Sequence, residues 1–512
     1  ETHSLDWNVP LIPAVTEPLL SFAKGPFIDL SDLLVIVPTR QAGRRLREAL
    51  AVAVREDGRG LLPPDILTPN TLLHRPLKDQ PVANKACVTA AWIHTLQDID
   101  PSLFEAVFLT LPEQSPGWQQ GMAQRLAQLR DDLGEEGLSI QEAAEMAAAA
   151  GYESERWRQL ARLEALYLQA LQTRQLKDPN LARREAAEAY ATPAGIKRIL
   201  LIATPDAQAL SLKAIERAAA QVPVEVWTYG PGELFDTWGR PLREIWSQRA
   251  LDFESWGVGI HAYHESKALI RKVATATQGR QPESILIGLA DRELTQPVVS
   301  ELERNRTPSY DPEGTPLHLH RLGRLTELLC QLSREANTAT VRSLLQHPDV
   351  FHWVKSSNSQ THLLRQLDDT FQNHLCADLA SLIRFAGDPR LKGALKALHS
   401  LERQIKQAYG FCEGLSTALQ TIHTDFELTG DESSKLWREQ AETVRELLSE
   451  VGSAEVSFSK LKPELAGSLV LQGLRSSKVY PDRPRDAHDL LGWLELLWND
   501  APQLILAGVN EG

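Results

Sequence analysis

Two short turns near the start of the chain place hydroxyl and basic side chains directly after apolar runs. The first turn follows Leu33–Val37 and leads into a helix-like pattern, and the second follows Ile66 and Leu67. Hydroxyls, guanidinium groups and the free N–H groups of a helix start all suit phosphate oxygens. We therefore predict phosphate contacts at Thr39, Arg40, Arg44, Arg45 and Thr68. An ordinary strand–turn–helix with solvated arginines would give the same pattern, so both interpretations stay open.

The residues that would bind a nucleotide are missing from the start of the chain. A phosphate-binding loop needs the pattern G-x-x-x-x-G-K-[ST], whose N–H groups, lysine and hydroxyl hold the phosphates and Mg²⁺. Residues 1–32 contain one glycine, Gly25, preceded by Lys24. Asp206 follows another apolar run, Ile199–Ala203, as a lone carboxylate, which is more typical of a turn or cap than of a magnesium ligand.

Nuclease and metal-binding patterns are also incomplete. A PD-(D/E)xK nuclease site needs an Asp/Glu-x-Lys pair, but Pro481 and Asp482 are followed by Glu495-Leu-Leu497, without the lysine. The cysteines are Cys87, Cys330, Cys376 and Cys412, and none forms a C-x-x-C unit. This spacing favours buried free thiols over a zinc or iron–sulfur site. We predict no catalytic and no metal-binding residue in this chain, and leave open whether it is an enzyme.

Apolar periodicity predicts the elements that would position these residues. Short runs rich in Leu, Ile and Val are typical of buried parallel strands. They occur at Leu33–Val37, Ile199–Ala203, Val224–Thr228, Ile285–Ala290 and Leu504–Ala507. Helical spacing of apolar residues fills about 75–190 and 320–470, with Ser139 and Glu142 matching a capping box. The alternation predicts an α/β fold in which two sheet domains each carry a large helical insertion.

This alternation also predicts the domain boundaries. The first sheet domain would consist of residues 1–75 and 196–255, with a helical insertion at 76–195. The second would consist of residues 256–320 and 470–512, with a helical insertion at 321–469.

Composition excludes some classes of protein. The chain has 512 residues, of which 43% are hydrophobic and 24% charged, as in ordinary globular proteins. No run reaches the ~18 apolar residues of a membrane span. Residues Glu1–Pro10 lack a basic region followed by an apolar run, so we expect no signal peptide and a cytoplasmic protein. The net charge of −13 argues against a protein that coats nucleic acid with its whole surface, but permits one basic channel. Because the first residue is not Met, we expect part of a longer protein.

Several segments resemble motifs of superfamily 1 helicases of the UvrD and RecB kind, in the order in which that family has them. The stretch 35–50 resembles the motif after the ATP site, which contacts single-stranded DNA. The stretch 66–75 resembles the next DNA-contacting motif, with Asn70 at the position of the family's His. The stretch 285–294, which contains Arg292, and Tyr310-Asp-Pro-Glu-Gly314 resemble the opening of the second helicase-like domain.

The stretch Asp486–Gly512 is the most specific and is similar to AddB-type nuclease subunits. Leu491 stands where the helicase motif has a Lys. The residues that match the family motif are His488, Gly492, Trp493, Glu495, Gly508, Asn510, Glu511 and Gly512.

The resemblance implies two RecA-like parallel-sheet domains, inactivated as a helicase, in a subunit of a RecB-family PD-(D/E)xK exonuclease. It implies DNA, in single-stranded form, as a partner, with Arg292 as a further contact, and a helicase–nuclease partner subunit in DNA repair. Mg²⁺ and an iron–sulfur cluster would belong to a nuclease domain beyond this chain, which itself would carry no cofactor. Two alternatives stay open: a subunit that retains ATP binding, and a protein-interaction scaffold that does not bind DNA.

Overall fold

The computed structural model describes residues 1–23, 25–108, 113, 115–250, 259–354, 360–427, 430, 432–459 and 461–510. These residues form an α/β protein that is mostly helical and contains parallel-strand sheets. None of the helices in the described part of the chain combines the length and apolar content needed to cross a membrane.

The chain begins with strands and helices of the first sheet. In chain order they are β1 (Thr2–Leu5), α1 (Leu11–Ser21), β2 (Phe27–Asp29), β3 (Leu33–Ile36), α2 (Arg40–Glu56), β4 (Gly60–Leu62), β5 (Asp65–Leu67) and α3 (Pro69–His74). A helical segment follows, with α4 (Lys85–Asp98), α5 (Pro116–Glu135), α6 (Ile140–Ala150), α7 (Ser154–Gln172) and α8 (Pro179–Glu188). The predicted capping box of Ser139 and Glu142 is confirmed at the start of α6.

The chain then returns to the first sheet through β6 (Arg198–Ile202), α9 (Ala209–Ala219), β7 (Val224–Tyr229) and α10 (Arg243–Trp246). The strands lie in the order β1-β7-β6-β3-β5, and all neighbours are parallel. Side chains of β3 alternate between two buried clusters: Val35 packs with α1 and α2, and Leu34 packs with α9. The continuous apolar run therefore reflects a strand covered on both faces.

A helical segment also separates the strands of the second sheet along the chain. It begins with α11 (Ser266–Thr277), β8 (Ile285–Leu289), α12 (Thr295–Arg304), β9 (Ser309–Tyr310) and β10 (Thr315–Pro316). It is completed by β11 (Lys478–Val479), β12 (His488–Leu491) and β13 (Gln503–Ala507). The main sheet has the order β13-β8-β12-β9 with parallel neighbours, while β10 and β11 form a separate antiparallel pair.

Between these strands lies the second helical segment. It consists of α13 (Arg321–Arg334), α14 (Thr338–Gln346), α15 (Pro348–Trp353), α16 (Gln360–His374), α17 (Leu379–Phe385), α18 (Pro389–Gln407), α19 (Phe411–Ile422), α20 (Glu432–Ser457) and α21 (Pro463–Ser476). Its buried residues belong to the same hydrophobic cluster as those of α4–α7. The two helical segments therefore share one core.

The five predicted strands are confirmed as β3, β6, β7, β8 and β13, within one or two residues at each end. Of the two main sheets, the predicted strands did not include β1, β5, β9 or β12, of which β1, β5 and β9 lie at sheet edges. The short strands β2, β4, β10 and β11 were not predicted either. In the described part of residues 75–190, no named strand occurs, as predicted; the only pairing there is the isolated bridge between Val82 and Lys177.

Candidate functional site

A cleft of about 440 Å³ opens between the two sheets, at the carboxyl ends of β3, β5 and β6. We call it the inter-sheet cleft. It is lined by Pro38, Thr39, Arg40, Gln41, Thr68, Pro69, Asn70, Asp206, Gln208, Pro312, Glu313, Lys478, Tyr480 and Glu495. This edge of a parallel sheet is where α/β proteins commonly bind ligands. Three of the predicted phosphate contacts, Thr39, Arg40 and Thr68, lie here together.

The two threonines cap helices that start at the cleft. The Thr39 hydroxyl accepts a hydrogen bond of 3.1 Å from the backbone N–H of Ala42, at the start of α2. The Thr68 hydroxyl accepts one of 3.4 Å from the N–H of Thr71, at the start of α3. Because β3 and β5 are parallel neighbours, the two turns lie side by side. Capping uses each hydroxyl as an acceptor and leaves its hydrogen available to donate. Unused N–H groups at the helix starts and the side chain of Arg40 are further donors at these two turns.

The predicted arginine cluster is split between two locations. Arg40 is exposed at the cleft and has no ion pair within the described residues. Arg44 pairs with Glu48 at 2.5 Å and donates to the Gln41 side chain at 2.8 Å. Arg45 faces Trp498, whose backbone carbonyl lies 3.5 Å from its Nε. Arg44 and Arg45 lie about one turn further along α2 than Arg40, where they line a second cavity.

That second cavity has a volume of about 280 Å³ and mixes charges of both signs. Arg44 and Arg45 share it with Arg483, Asp489 and Asp500. Arg483 is held by Asp489 at 2.7 Å. The acidic partners leave less positive charge available for phosphates here than at Arg40.

Arg292 holds a turn that forms the opposite wall of the inter-sheet cleft. Its guanidinium donates to Asp311 at 2.8 Å and lies 3.5 Å from the carboxylate of Glu313. Lys478 approaches the same Glu313 carboxylate at 2.9 Å. Gly314 closes the turn with a φ of +78°, and a Cβ there would lie 2.8 Å from the carbonyl oxygen of Val479. Arg292 is therefore engaged with carboxylates of its own wall.

Two carboxyl groups face the cleft in environments that disfavour their charge. Burial raises the pKa of Glu495, and the negative charge of Glu313 raises it further, while the Thr39 hydroxyl works in the opposite direction. Burial also raises the pKa of Asp206. Asp206 lies in a turn after β6, as predicted, but it lines the cleft as well. The cleft is therefore mixed in charge.

Of the predicted family-motif residues, Glu495 lines the cleft. His488 is buried in β12, its Nδ1 has no hydrogen-bond partner among the residues that the structure describes, and burial lowers its pKa. Gly492 precedes the 3-10 helix Trp493–Trp498, in which Trp493 is exposed. Gly508 has a φ of +77° and lies against Asp291. Asn510 is exposed, and Glu511 and Gly512 lie outside the described residues.

No protein-family model and no curated protein matches the chain. The resemblance to AddB-type subunits therefore rests on the motifs themselves, and the family stays a prediction.

Some residues of the cleft were not among the predicted site residues. They include Gln208, Lys478 and Tyr480. Lys478 and Tyr480 follow the second helical segment, far from the β3 and β5 turns in sequence. The available signal was a basic and an aromatic residue two positions apart, but many exposed loops carry such a pair.

The strand β1 and the helix α1 precede β3 in the chain. The turn that joins them has features that oppose phosphate binding. It consists of residues 6–10 and contains no glycine. The Asp6 carboxylate accepts the backbone N–H of Asn8 at 2.9 Å, which places a negative charge at the turn. Pro13 in the first turn of α1 removes an N–H donor. These features differ from a phosphate-binding loop, in which free N–H groups surround the anion.

Proposed function

We propose that this chain is the helicase-like, nucleic-acid-binding region of an AddB-type repair nuclease, and that it binds single-stranded DNA without hydrolysing ATP. The two parallel sheets would correspond to two RecA-like domains, each carrying a helical insertion. A nuclease domain, with Mg²⁺ and an iron–sulfur cluster, would lie beyond this chain. A helicase–nuclease subunit would be the cytoplasmic partner.

The observation that carries this proposal is the meeting of two strand–turn–helix units at the inter-sheet cleft. The start of α2 and the start of α3 converge on one edge of the sheet with Arg40, which has no ion pair in the described part of the chain. Backbone N–H groups and arginine are the groups that proteins use to position a phosphate backbone without reading its sequence. A DNA strand that follows this edge of the sheet would therefore contact both turns in succession.

The acidic residues of the cleft limit where phosphates would lie. Glu313 is offset by Lys478 and Arg292, which bracket its carboxylate. Asp206 and Glu495 have no ion pair among the described residues, and they would repel a phosphate. The favoured path therefore runs over Arg40 and the helix starts, with bases rather than phosphates next to the carboxylates.

ATP binding is the less favoured alternative. The turn of residues 6–10 places Asp6 where an ATP site would need N–H donors, so it would repel the triphosphate. A protein-interaction scaffold is the second candidate function. It is favoured by the edge strand β13, on which Leu504 and Leu506 are each about half exposed on the same face.

The test is fluorescence-anisotropy binding of a labelled single-stranded oligonucleotide across a salt series, with Arg40→Ala and with Arg158→Ala as control. Arg158 is 67% exposed on α7 and does not line the cleft, so its replacement removes the same charge from another part of the surface. We expect Arg40→Ala to weaken binding about tenfold, as for one charged hydrogen bond. Its salt dependence should become shallower by about 0.7 in log–log slope, the value for one single-strand phosphate.

Three results would contradict the proposal. Equal losses for the two variants would mean that net charge alone controls binding. Absence of binding at low salt would favour the protein-interaction scaffold. Affinity that depends on Mg-ATP would favour the retained nucleotide site.

A further inference from the structure

The helix α18 carries a row of basic side chains along one face. They recur at positions i, i+4, i+7, i+11 and i+14, which follows the 3.6-residue repeat of an α-helix closely. They are Lys392, Lys396, His399, Arg403 and Lys406. We call these five residues the basic stripe. Because each residue adds 1.5 Å to a helix, the stripe is about 21 Å long and has a basic group about every 5 Å.

The other face of α18 fixes the helix to the rest of the molecule. Its apolar side chains are buried in the core that the two helical segments share, and they are Leu391, Leu395, Leu398, Leu401 and Ile405. On the basic stripe, Lys396, Arg403 and Lys406 are exposed, while Lys392 and His399 are partly exposed. The core therefore holds the helix in place and leaves its basic face open to solvent.

Little acidic charge neutralises the basic stripe. The helix has five Lys or Arg residues and one acidic residue, Glu402. The Glu402 carboxylate pairs with Lys406 at 2.7 Å and lies 3.1 Å from Nδ1 of His399. The other Lys and Arg residues of the stripe have no ion pair with any residue that the structure describes. A chain with a net charge of −13 therefore concentrates positive charge on this helix.

The composition of this face favours a nucleic-acid backbone over a protein partner. All Leu and Ile side chains of α18 are buried, and the helix contains no Phe, Trp or Tyr. A stable protein interface has apolar side chains at its centre. A single-strand site has aromatic side chains on which bases stack. The stripe offers neither, whereas basic side chains alone are sufficient to contact phosphates.

We propose that the basic stripe binds the phosphate backbone of duplex DNA without reading its sequence. A duplex carries about one negative charge per 1.7 Å of its axis and is stiff over the length of the stripe, so it can lie along a straight row of basic groups. The residues of the stripe do not line the inter-sheet cleft. The inference therefore goes beyond the proposed function, and either of the two can fail without the other.

The experiment is fluorescence-anisotropy binding of the full chain to a labelled blunt duplex of about 20 base pairs, which is longer than the stripe. It is repeated across a salt series with the double variant Lys396→Gln and Arg403→Gln. We expect the variant to bind the duplex about tenfold more weakly at low salt, with a log–log salt slope that is shallower by about 1.8, the value for two duplex phosphates. The loss should be equal for A·T-rich and G·C-rich duplexes, because no base is contacted.

The matched control is the double variant Arg445→Gln and Lys462→Gln. These side chains are exposed on the same helical segment but lie outside the stripe, so the control removes the same charge and should leave duplex affinity nearly unchanged. Arg40→Ala should also leave duplex binding unchanged, which separates this test from that of the inter-sheet cleft. Circular dichroism and thermal unfolding would establish that all variants are folded.

Several outcomes would overturn the proposal. They are the absence of duplex binding at low salt, an unchanged duplex affinity in the stripe variant, and an equal loss in the control variant. A larger loss for a labelled single strand than for the duplex would place the stripe on the single-strand path. Tighter binding of a labelled oligoglutamate peptide than of the duplex would assign the stripe to an acidic protein partner.

Discussion

At the scale of single residues, the structure distinguishes arginines that are alike in sequence. Arg40 begins α2 at the cleft, whereas Arg44 and Arg45 lie about one turn later and face other groups. The sequence predicts that all three lie on or near one helix. The i,i+4 spacing makes Glu48 a predictable partner of Arg44. That Arg45 faces Trp498 could not be predicted, because the contact joins segments that are far apart in sequence.

The raised pKa values of Asp206 and Glu495 lead to a prediction about pH. A carboxyl group with a raised pKa loses its charge at a higher pH than an ordinary one as acid is added. Loss of these charges removes repulsion of phosphates in the cleft. The affinity of the chain for single-stranded DNA should therefore rise as the pH falls from neutral. The double variant Asp206→Asn and Glu495→Gln should bind more tightly at neutral pH and depend less on pH.

Anisotropy titrations at fixed ionic strength between neutral and mildly acidic pH would test this. The matched control is Asp369→Asn with Glu446→Gln, which removes two exposed carboxylates from the helical region. If the control pair increased affinity as much as the cleft pair, the effect would come from net charge. The two cleft carboxyls would then have no specific role.

At the scale of elements, apolar runs predicted β3, β6, β7 and β8 because both of their faces are covered. The same signal predicted β13, although its Leu504 and Leu506 are about half exposed. The same reasoning missed β1 and β12 for different reasons. Residues of β1 are mainly exposed at a sheet edge, so the strand has little apolar signal. β12 buries the polar residues His488 and Asp489, which do not look like a core strand in sequence. The inter-sheet cleft was predictable from its β3 and β5 turns, but its opposite wall was not.

The 3-10 helix Trp493–Trp498 connects the second sheet to the core of the first. Trp498 is 1% exposed and belongs to the cluster that contains Leu46 and Leu50 of α2. Trp498→Ala should therefore lower the free energy of unfolding by about 3–5 kcal/mol, the usual effect of emptying a large buried site. Urea unfolding followed by tryptophan fluorescence and circular dichroism would measure it.

Trp493→Ala is the matched control for this prediction. Trp493 belongs to the same 3-10 helix but is 57% exposed, so its loss should change the free energy of unfolding by about 0.5 kcal/mol or less. A small effect of Trp498→Ala, equal to that of the control, would show that the segment does not hold the two sheets together in solution.

At the scale of the whole molecule, the helical segments join into one body although sheet strands separate them in sequence. Asn84 donates to the carbonyl of Glu450, and Arg174 donates to the carbonyl of Ser457 at 2.6 Å. The apolar spacing of each helix predicts that it has a buried face. It does not specify which helix covers that face, so the shared core could not be predicted, and the sequence division into two insertions stays a prediction.

Phe458 provides a test of this shared core. Its side chain is 1% exposed, lies under the Arg174 guanidinium at 4.2 Å, and contacts His94 of α4 edge-on. Phe458→Ala would open a cavity between the two helical segments, which should cost about 3–5 kcal/mol. Because both segments line that cavity, hydrogen exchange should speed up in α4 and α7 as well as in α20 and α21. Tyr409→Ala, at a side chain that is 97% exposed, should leave exchange unchanged. Faster exchange confined to α20 and α21 would mean that the first helical segment is stable without the second, and that the common core does not make them one cooperative unit.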